Sequence, residues 1–333
     1  MKNREMGVSV CCLVYNHEKY LRKCFDAFVN QKTNFKYEVL IHDDASTDSS
    51  KEIIKEYVEK YPEIFKPLYQ QENQTSKGKK VSLEFQYPRI TGKYVAWCEG
   101  DDYWTDDFKL QKQYDMLEQF PDKVFCTHIV RSVTESGGLL ESTHPKTVDL
   151  PMHLESDEWI RMLLGDLRYP FQTSSYFGRA DVLTQYINQY PDFIKKAKVG
   201  DTPLMLLYAT HGGCIYLKEE MSCYRRQSSG SWSQRMRTNV NMGESFFLAN
   251  IEMYKEYDVF TEKKYTDLIK RVCLREKFIY LQIRKEYKEL LNKEYKELFQ
   301  KLSTKQQFYI ICFVKLPILM KVYTNLKLKI AKR

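Results

Sequence analysis

The chain has 333 residues, of which 43% are hydrophobic and 29% charged, a balance that buries a full core without disulfide or metal staples. With 13 Gly and 10 Pro and no run near the ~20 apolar residues of a membrane-spanning helix, collagen-like, low-complexity and helical membrane classes are excluded. The net charge of +8 equals the eight Lys and Arg of residues 301–333, which contain no Asp or Glu; a neutral body with a basic tail points to an anionic membrane surface and away from nucleic acid.

The N-terminus leads directly into a strand-like run, with no apolar signal core. Residues 7–15 (GVSVCCLVY) are that strand, after which Leu21, Cys24, Phe25 and Phe28 recur at helical spacing. A second strand, 38–42, stops at Asp43-Asp44-Ala45-Ser46-Thr47-Asp48, a polar turn ahead of a helix through Ile53, Ile54, Tyr57 and Val58. Residues 65–69 form a short third strand. The fourth, 93–98, ends abruptly at Glu99-Gly100-Asp101-Asp102, and a helix through Leu110, Tyr114 and Leu117 leads to a fifth at 124–130. Alternating strands and helices predict an α/β fold, a parallel sheet with helices on both faces. Ligands bind such sheets at the carboxyl ends of the strands, where both acidic clusters fall.

Beyond residue 155 the pattern changes. Trp159, Met162 and Leu163 mark a short helix, 169–178 is polar and aromatic, and Gly200-Asp201-Thr202-Pro203 opens another helix. Residues 213–224 read as a strand pair or a strand and turn, 225–243 as a mobile Ser-rich basic loop, and 244–302 as helical. Nine cysteines, an odd number with no CxxC spacing, predict free buried thiols in a reducing cytosol. No His pair has zinc-ligand spacing. His17, His42 and His211 read as satisfied structural or surface residues.

Asp101 and Asp102 are hard oxygen donors that suit Mg²⁺ or Mn²⁺ when phosphates complete the shell; a helix cap explains the pair equally well. Asp43 and Asp44 form either a turn and cap or a carboxylate that accepts the ring N–H of a pyrimidine base. Tyr15-Asn16, at the neighbouring strand end, would put a ring beside that base. Asp201 is either a cap or the general base that transfer to a hydroxyl requires.

Together VSVCCLVYN, YEVLIHDDASTDSS, GKYVAWCEGDDYW with KLQKQ downstream, and GDTPLM resemble the family 2 glycosyltransferases, inverting enzymes of GT-A fold, and in particular the branch that builds bacterial capsule, exopolysaccharide or lipopolysaccharide. The resemblance runs from about Gly7 to Asp122 and more weakly to about Gly230. It implies a GT-A-type, mainly parallel sheet in 1–235, with a nucleotide-binding half (1–122) and an acceptor half (123–235), followed by a helical region, 236–333. It further implies a nucleotide-sugar donor, a UDP-sugar, held by Tyr15, Asn16, Asp43, Asp44, Ser46, Glu99, Asp101 and Arg225. Mn²⁺ or Mg²⁺ would sit on Asp102 with Asp101, and Asp201 would be the catalytic base toward a saccharide or lipid-linked acceptor. The chain departs from the family at Glu99, where many relatives have Asp, and at Gln227, where some have a His near the metal.

A sugar nucleotidyltransferase would need a Gly-rich phosphate loop after the first strand, where this chain has Val14-Tyr15-Asn16-His17-Glu18. An inactive relative, serving as a membrane or polysaccharide-binding module, would not need Asp44, Asp101, Asp102 and Asp201 together. In the tail (303–333), FYIICFV and LPILM are too short to span a bilayer but suit a segment lying in its interface. The expected location is therefore cytoplasmic, peripheral on the inner face of the plasma membrane.

Overall fold

The opening apolar run becomes β1 (Met6–Val14), buried on both faces near the middle of a parallel ladder, which is why it reads as continuous rather than alternating. The computed structural model describes residues 6–146, 150–165, 171–226 and 240–316, with side chains from 243 in the last segment. The chain continues through α1 (Leu21–Val29), β2 (Lys36–Asp43), α2 (Ser50–Lys60), β3 (Phe65–Tyr69), β4 (Tyr94–Trp97), β5 (Tyr103–Trp104), α3 (Lys109–Gln119), β6 (Lys123–Val133), β7 (Leu139–His144) and β8 (His153–Leu154). There follow α4 (Ser156–Leu164), β9 (Phe177–Arg179), α5 (Asp181–Thr184), α6 (Asp192–Lys196), α7 (Asp201–His211) and β10 (Gly213–Arg225). Helices α8 (Val240–Phe260), α9 (Thr266–Arg284), α10 (Lys296–Gln300) and α11 (Thr304–Lys315) complete it.

The ten strands form one sheet in the order β3-β2-β1-β4-β9-β6-β10-β5, with β7 on β6 and β8 on β10. The long ladders β3–β2–β1–β4 and β6–β10 are parallel. The mainly parallel sheet expected from the sequence is interrupted in its middle by three-residue β9, which runs antiparallel to both β4 and β6. Val8, Val10, Cys12 and Val14 alternate onto one face, against Leu21, Phe25 and Phe28 of α1, Ile53 and Ile54 of α2, and Leu110 and Leu117 of α3. On the other face Trp97 and Phe125 meet Tyr208 of α7, with ring centroids 6.1 and 4.9 Å apart, and Phe125 meets Trp159 of α4 at 5.3 Å. Helices on both faces are what the alternating elements predict.

Residues 213–225 are one strand, not a strand pair. Its register shifts against β6 between Leu217 and Ser222, where Lys218, Glu219 and Glu220 swing out to solvent. The mobile loop expected at 225–243 overlaps β10 at Arg225 and α8 from Val240; its residues 227–239 lie outside the described residues, as do 317–333 of the tail. All nine cysteines are free, seven of them buried.

The chain divides into two compact units, Met1–Lys195 with Val199–Ser231, and Lys196–Lys198 with Trp232–Arg333. In the second, Arg284 at the end of α9 bonds Glu244 near the start of α8, so the two helices are antiparallel, and buried Asn250 donates to Glu276 at 3.1 Å. Phe278, Leu281, Leu290, Tyr295 and Ile310 form its core. Ile310 belongs to α11 and is the one buried residue of that helix, while Phe308 beside it is 69% exposed.

Candidate active site

Parallel pairing brings the ends of β1, β2 and β4 to one edge of the sheet, since Val14 stands opposite Asp43 and Cys11 opposite Trp97. The loops after β1 and β2 are laced together. Asn16 N donates to Ser46 Oγ (3.0 Å), Thr47 N to Asn16 Oδ1 (2.8 Å), Glu18 N to Asp48 Oδ2 (3.0 Å) and Ser49 N to Glu18 Oε2 (2.9 Å). Asn16 and Ala45 both hold left-handed backbone, φ 56° and 61°; for Ala45 that is strain held by its surroundings. Ser46 N closes back on Asp43 Oδ1 at 3.3 Å. Tyr15, 45% exposed, stands at the rim of this frame.

Neither Asp43 nor Asp44 caps a helix; α2 starts after Ser49. The buried Asp44 carboxylate instead accepts the amides of Gln74 (2.7 Å, Oδ1) and Thr75 (3.1 Å, Oδ2), while its carbonyl takes Asn73 Nδ2. Any base it reads must therefore share oxygens already engaged by the 73–75 segment. Burial pushes the Asp43 carboxyl up from its ordinary range, against the hydrogen bonds from Ser46. The expectation of satisfied histidines fails at His42: fully buried, it has no hydrogen bond at either ring nitrogen, and Nε2 lies 3.6 Å from Asp44 Oδ1. Burial holds this imidazole below its ordinary pKa although Asp44 pulls the other way. His211 is satisfied, by Tyr186 and the Leu207 carbonyl.

The acidic turn is tied to β1 by Cys98 N to Cys11 O (3.2 Å) and Gly100 N to Leu13 O (3.0 Å). A Cβ on Gly100 would lie 2.9 Å from both His17 Nδ1 and Leu21 Cδ2, so any other residue there has to displace these side chains. The alternative of an Asp101-Asp102 helix cap falls, because the turn feeds β5 and α3 begins only after Phe108. Asp102, 2% exposed, accepts the main-chain amide of Arg225 at 2.8 Å. Its carboxyl is pushed well above the ordinary range by burial first, then by Asp101. Burial, with Asp101 and Asp201 adding, raises half-buried Glu99 to about 8. Asp201, first residue of α7, is raised by burial, with Thr173 pulling the other way. Glu99, Asp101, Asp102 and Asp201 thus share one electronegative neighbourhood.

Arg225 was expected on the diphosphate, yet it is 5% exposed. Its Nε donates to Asp101 O (2.9 Å), its Nη1 to Glu135 O (2.5 Å) and Thr134 O (3.3 Å), and its guanidinium lies 4.5 Å from the Tyr20 ring centroid. Its first role is to brace the acidic turn. Gln227 lies outside the described residues. Among the described residues, no three His, Cys, Asp or Glu side chains form a group able to hold a metal ion. Asp101 and Asp102 offer a partial shell of hard oxygens, which fits Mg²⁺ or Mn²⁺ completed by phosphate oxygens.

Sequence reasoning missed two contributors. Thr173 lies in a polar-aromatic stretch without periodicity, and the 73–75 amides are some thirty residues from Asp44.

Residues 9–180 match the model of Glycosyl transferase family 2. An uncharacterised protein of Mycobacterium tuberculosis is 36% identical over 225 residues, 68% of this chain and 60% of its own length. The minor teichoic acid biosynthesis protein GgaA of Bacillus subtilis is 23% identical over 85% of this chain and 62% of its own. This chain thus spans about 60% of the length of these relatives. Among solved structures, S. aureus TarS 1-349 in complex with UDP superposes with a TM-score of 0.53 at 16% identity, covering 91% of this chain and 77% of that one. A mannosyltransferase from Pyrobaculum calidifontis in complex with GDP-Man and Mn²⁺ gives 0.52 at 15% identity, covering 93% and 86%. These neighbours share the GT-A-type fold that the strand order and helical C-terminal region display. The family match runs from β1 to the end of β9, across the strand ends that carry Tyr15, Asp44 and the acidic turn, and the chain belongs to glycosyl transferase family 2.

Proposed function

We propose that the chain is an inverting glycosyltransferase that moves a sugar from a UDP-sugar to a hydroxyl of a saccharide or lipid-linked acceptor in cell-wall polysaccharide synthesis. The observation that carries this reading is the convergence of Glu99, Asp101, Asp102 and Asp201 at the same sheet edge as Tyr15 and Asp44. Teichoic acid synthesis in a relative's name, and nucleotide or nucleotide-sugar in two neighbours' titles, support the substrate class.

Tyr15 covers one face of the uracil and Asp44 accepts its ring N–H. Asp102, with Asp101, would hold Mn²⁺ or Mg²⁺, which when bound neutralises charge on the diphosphate. Glu99 faces the donor sugar and Arg225 keeps the acidic turn in place. The acceptor oxygen attacks the anomeric carbon from the side opposite the diphosphate and gives its proton to Asp201. The carbon–oxygen bond to the nucleoside diphosphate breaks, its electron pair leaves with that group, and the configuration inverts. A carboxyl raised by burial suits a base that works near neutral pH. No helix among the described residues is long and apolar enough to cross a membrane. The basic residues of the tail hold the protein against anionic lipid, where a lipid-linked acceptor would also lie.

The test is a screen of UDP- and GDP-sugars for nucleoside diphosphate release with Mn²⁺, Mg²⁺ or chelator. Release of UDP that needs the metal supports the assignment. Release of pyrophosphate with a sugar phosphate overturns it in favour of a nucleotidyltransferase.

A further inference from the structure

His42 sits where β2 is closed in on every side. Val39 and Ile41 turn to the core beneath α1 and α2, so by strand alternation Leu40 and His42 face the other way. Its neighbours in register are Leu13 of β1 and Leu68 of β3. A π-helical turn, Ser82–Gln86, covers this face, and its Phe85 meets the imidazole with ring centroids 5.4 Å apart. The cover is fastened to β2 by Gln86 Nε2 on the Leu40 carbonyl (3.1 Å) and by Arg89 Nη1 on the Ile41 carbonyl (3.2 Å). His42 is 0% exposed, and neither ring nitrogen has a hydrogen-bond partner among the described residues. An apolar side chain of similar size would fill this space without stranding two polar atoms. Packing alone gives no reason for a histidine here.

One polar group does face the ring. Nε2 lies 3.6 Å from Asp44 Oδ1, just outside hydrogen-bond range. The two oxygens of Asp44 are not alike. Oδ1 accepts the Gln74 amide at 2.7 Å and has His42 at its side, whereas Oδ2 accepts the Thr75 amide at 3.1 Å and has no imidazole beside it. Each carboxylate oxygen has two acceptor positions. On Oδ1 one is filled and the other is faced by a fully buried ring, where no ligand can enter. The position left for a ligand is on Oδ2.

We propose that His42 is a positioning residue for the donor: it holds Oδ1 of Asp44 from inside the sheet, leaves Oδ2 to the ring N–H of the base, and on protonation draws the carboxylate away from that base. This rests on Asp44 reading the base. The charged groups around the imidazole are Asp44 and Asp43 at the end of β2 and Arg89 beyond the π-helical turn. At its level β1 and β3 offer Leu13 and Leu68, and the turn offers Phe85. Burial favours the neutral ring and Arg89 adds to that, while the two carboxylates oppose it. At neutral pH the ring is uncharged and aims an N–H dipole at Asp44. Acid makes it a cation that competes with the base for the same carboxylate.

The experiment uses the full chain with UDP and Mg²⁺, and the variants His42→Gln, His42→Leu and Asp44→Ala. Glutamine keeps a donor for Asp44 but does not titrate; leucine keeps only the bulk. Calorimetry gives the UDP affinity of each chain from pH 8 to pH 5, read as a ratio to the parent so that the titration of UDP itself drops out. For His42→Gln the ratio should be near one at pH 8 and rise roughly tenfold by pH 5, because only the parent gains the competing cation. The rise should begin at the His42 midpoint, which NMR of ¹⁵N-labelled histidine locates without any ligand. His42→Leu should bind UDP roughly three- to tenfold more weakly than the parent at pH 8. Urea unfolding should nevertheless find it no less stable, since it removes an unsatisfied buried group. The glutamine ratio decides alone if leucine disturbs the turn. A level glutamine ratio, or a folded His42→Leu that binds like the parent, overturns the role of His42 while Asp44→Ala still binds weakly. If Asp44→Ala binds UDP as the parent does, or the parent does not bind UDP, the reading of the base at Asp44 fails and this proposal with it.

Discussion

Replacing Lys109 by Met should remove a pH-dependent cost from the core of the first unit. Lys109 is fully buried; its Nζ bonds Gln113 Oε1 at 2.7 Å and lies 4.2 Å from the Trp104 ring centroid. Burial lowers its ammonium to about 7, against roughly 10.4 when unfolded. The folded state therefore prefers the neutral amine. Stability is penalised fully below pH 7 and the penalty fades as pH rises toward the unfolded value. From these two values the penalty is about 4 kcal/mol at pH 7 and falls by about 2 kcal/mol between pH 7 and pH 9. Methionine keeps the length of the chain and the aromatic contact but takes the partner of Gln113 Oε1, whose Nε2 stays bonded to the Cys126 and Ser175 carbonyls, a loss of ~1–2 kcal/mol at every pH. The variant should thus be more stable than the parent by ~2–3 kcal/mol at pH 7 and nearly equal at pH 9. Urea unfolding in reductant at pH 7, 8 and 9 measures the difference between the two chains. Buried thiols such as Cys214, raised by burial, also cost stability as pH passes the ordinary cysteine value, and they are present in both chains. A difference that does not change with pH would refute the reasoning.

Other outcomes follow from the site. Asp44→Ala frees the Gln74 and Thr75 amides and should weaken UDP binding by ~1–3 kcal/mol; equal affinity of the parent for UDP and GDP in calorimetry contradicts the assigned role. Asp102→Asn should abolish turnover with the fold intact. Because burial raises the Asp102 carboxyl, its ionised form costs stability above the ordinary carboxylate range, so this variant should melt no lower than the parent in chelator at pH 7. Full activity of the parent in excess chelator counts against the metal. Removal of residues 317–333, which spares the buried Ile310, should leave the chain folded but abolish salt-sensitive flotation with anionic liposomes; unchanged flotation places the contact elsewhere.

The elements that the sequence made legible are those whose pattern is local. β1 and β3, α1 and α2 follow from apolar runs and helical spacing within ten residues or so. The acidic residues stand out because polar clusters end buried strands. β5 was illegible, since two residues carry no period and Tyr103-Trp104 is a strand only because Cys223 and Ser222 pair with it. Residues 213–224 read as a strand pair or a strand and turn, yet pairing with β6 on both sides of Lys218-Glu219-Glu220 carries one strand through. His42, last residue of the expected second strand, read as a satisfied structural or surface histidine, but β2 runs one residue further and seals it in without a hydrogen bond. Arg225 looked free to meet phosphate because the carbonyls that claim it come from residues 101, 134 and 135. Each of these misses is a contact between segments far apart in the chain.

The lacing of the first two loops also constrains how this sequence can diverge. Asn16 serves twice, tolerating a left-handed backbone and receiving the amide of Thr47, while Ser46 receives the amide of Asn16. Glycine at 16 would keep the dihedral and lose the tie; alanine would lose the tie and add strain. A change at 16 alters what a change at 46 or 47 costs, so single substitutions there should be epistatic rather than additive. Positions 16, 46 and 47 should drift together among descendants of this chain, whereas Ala45, whose side chain makes no tie between the loops, can turn to glycine alone and relax its backbone.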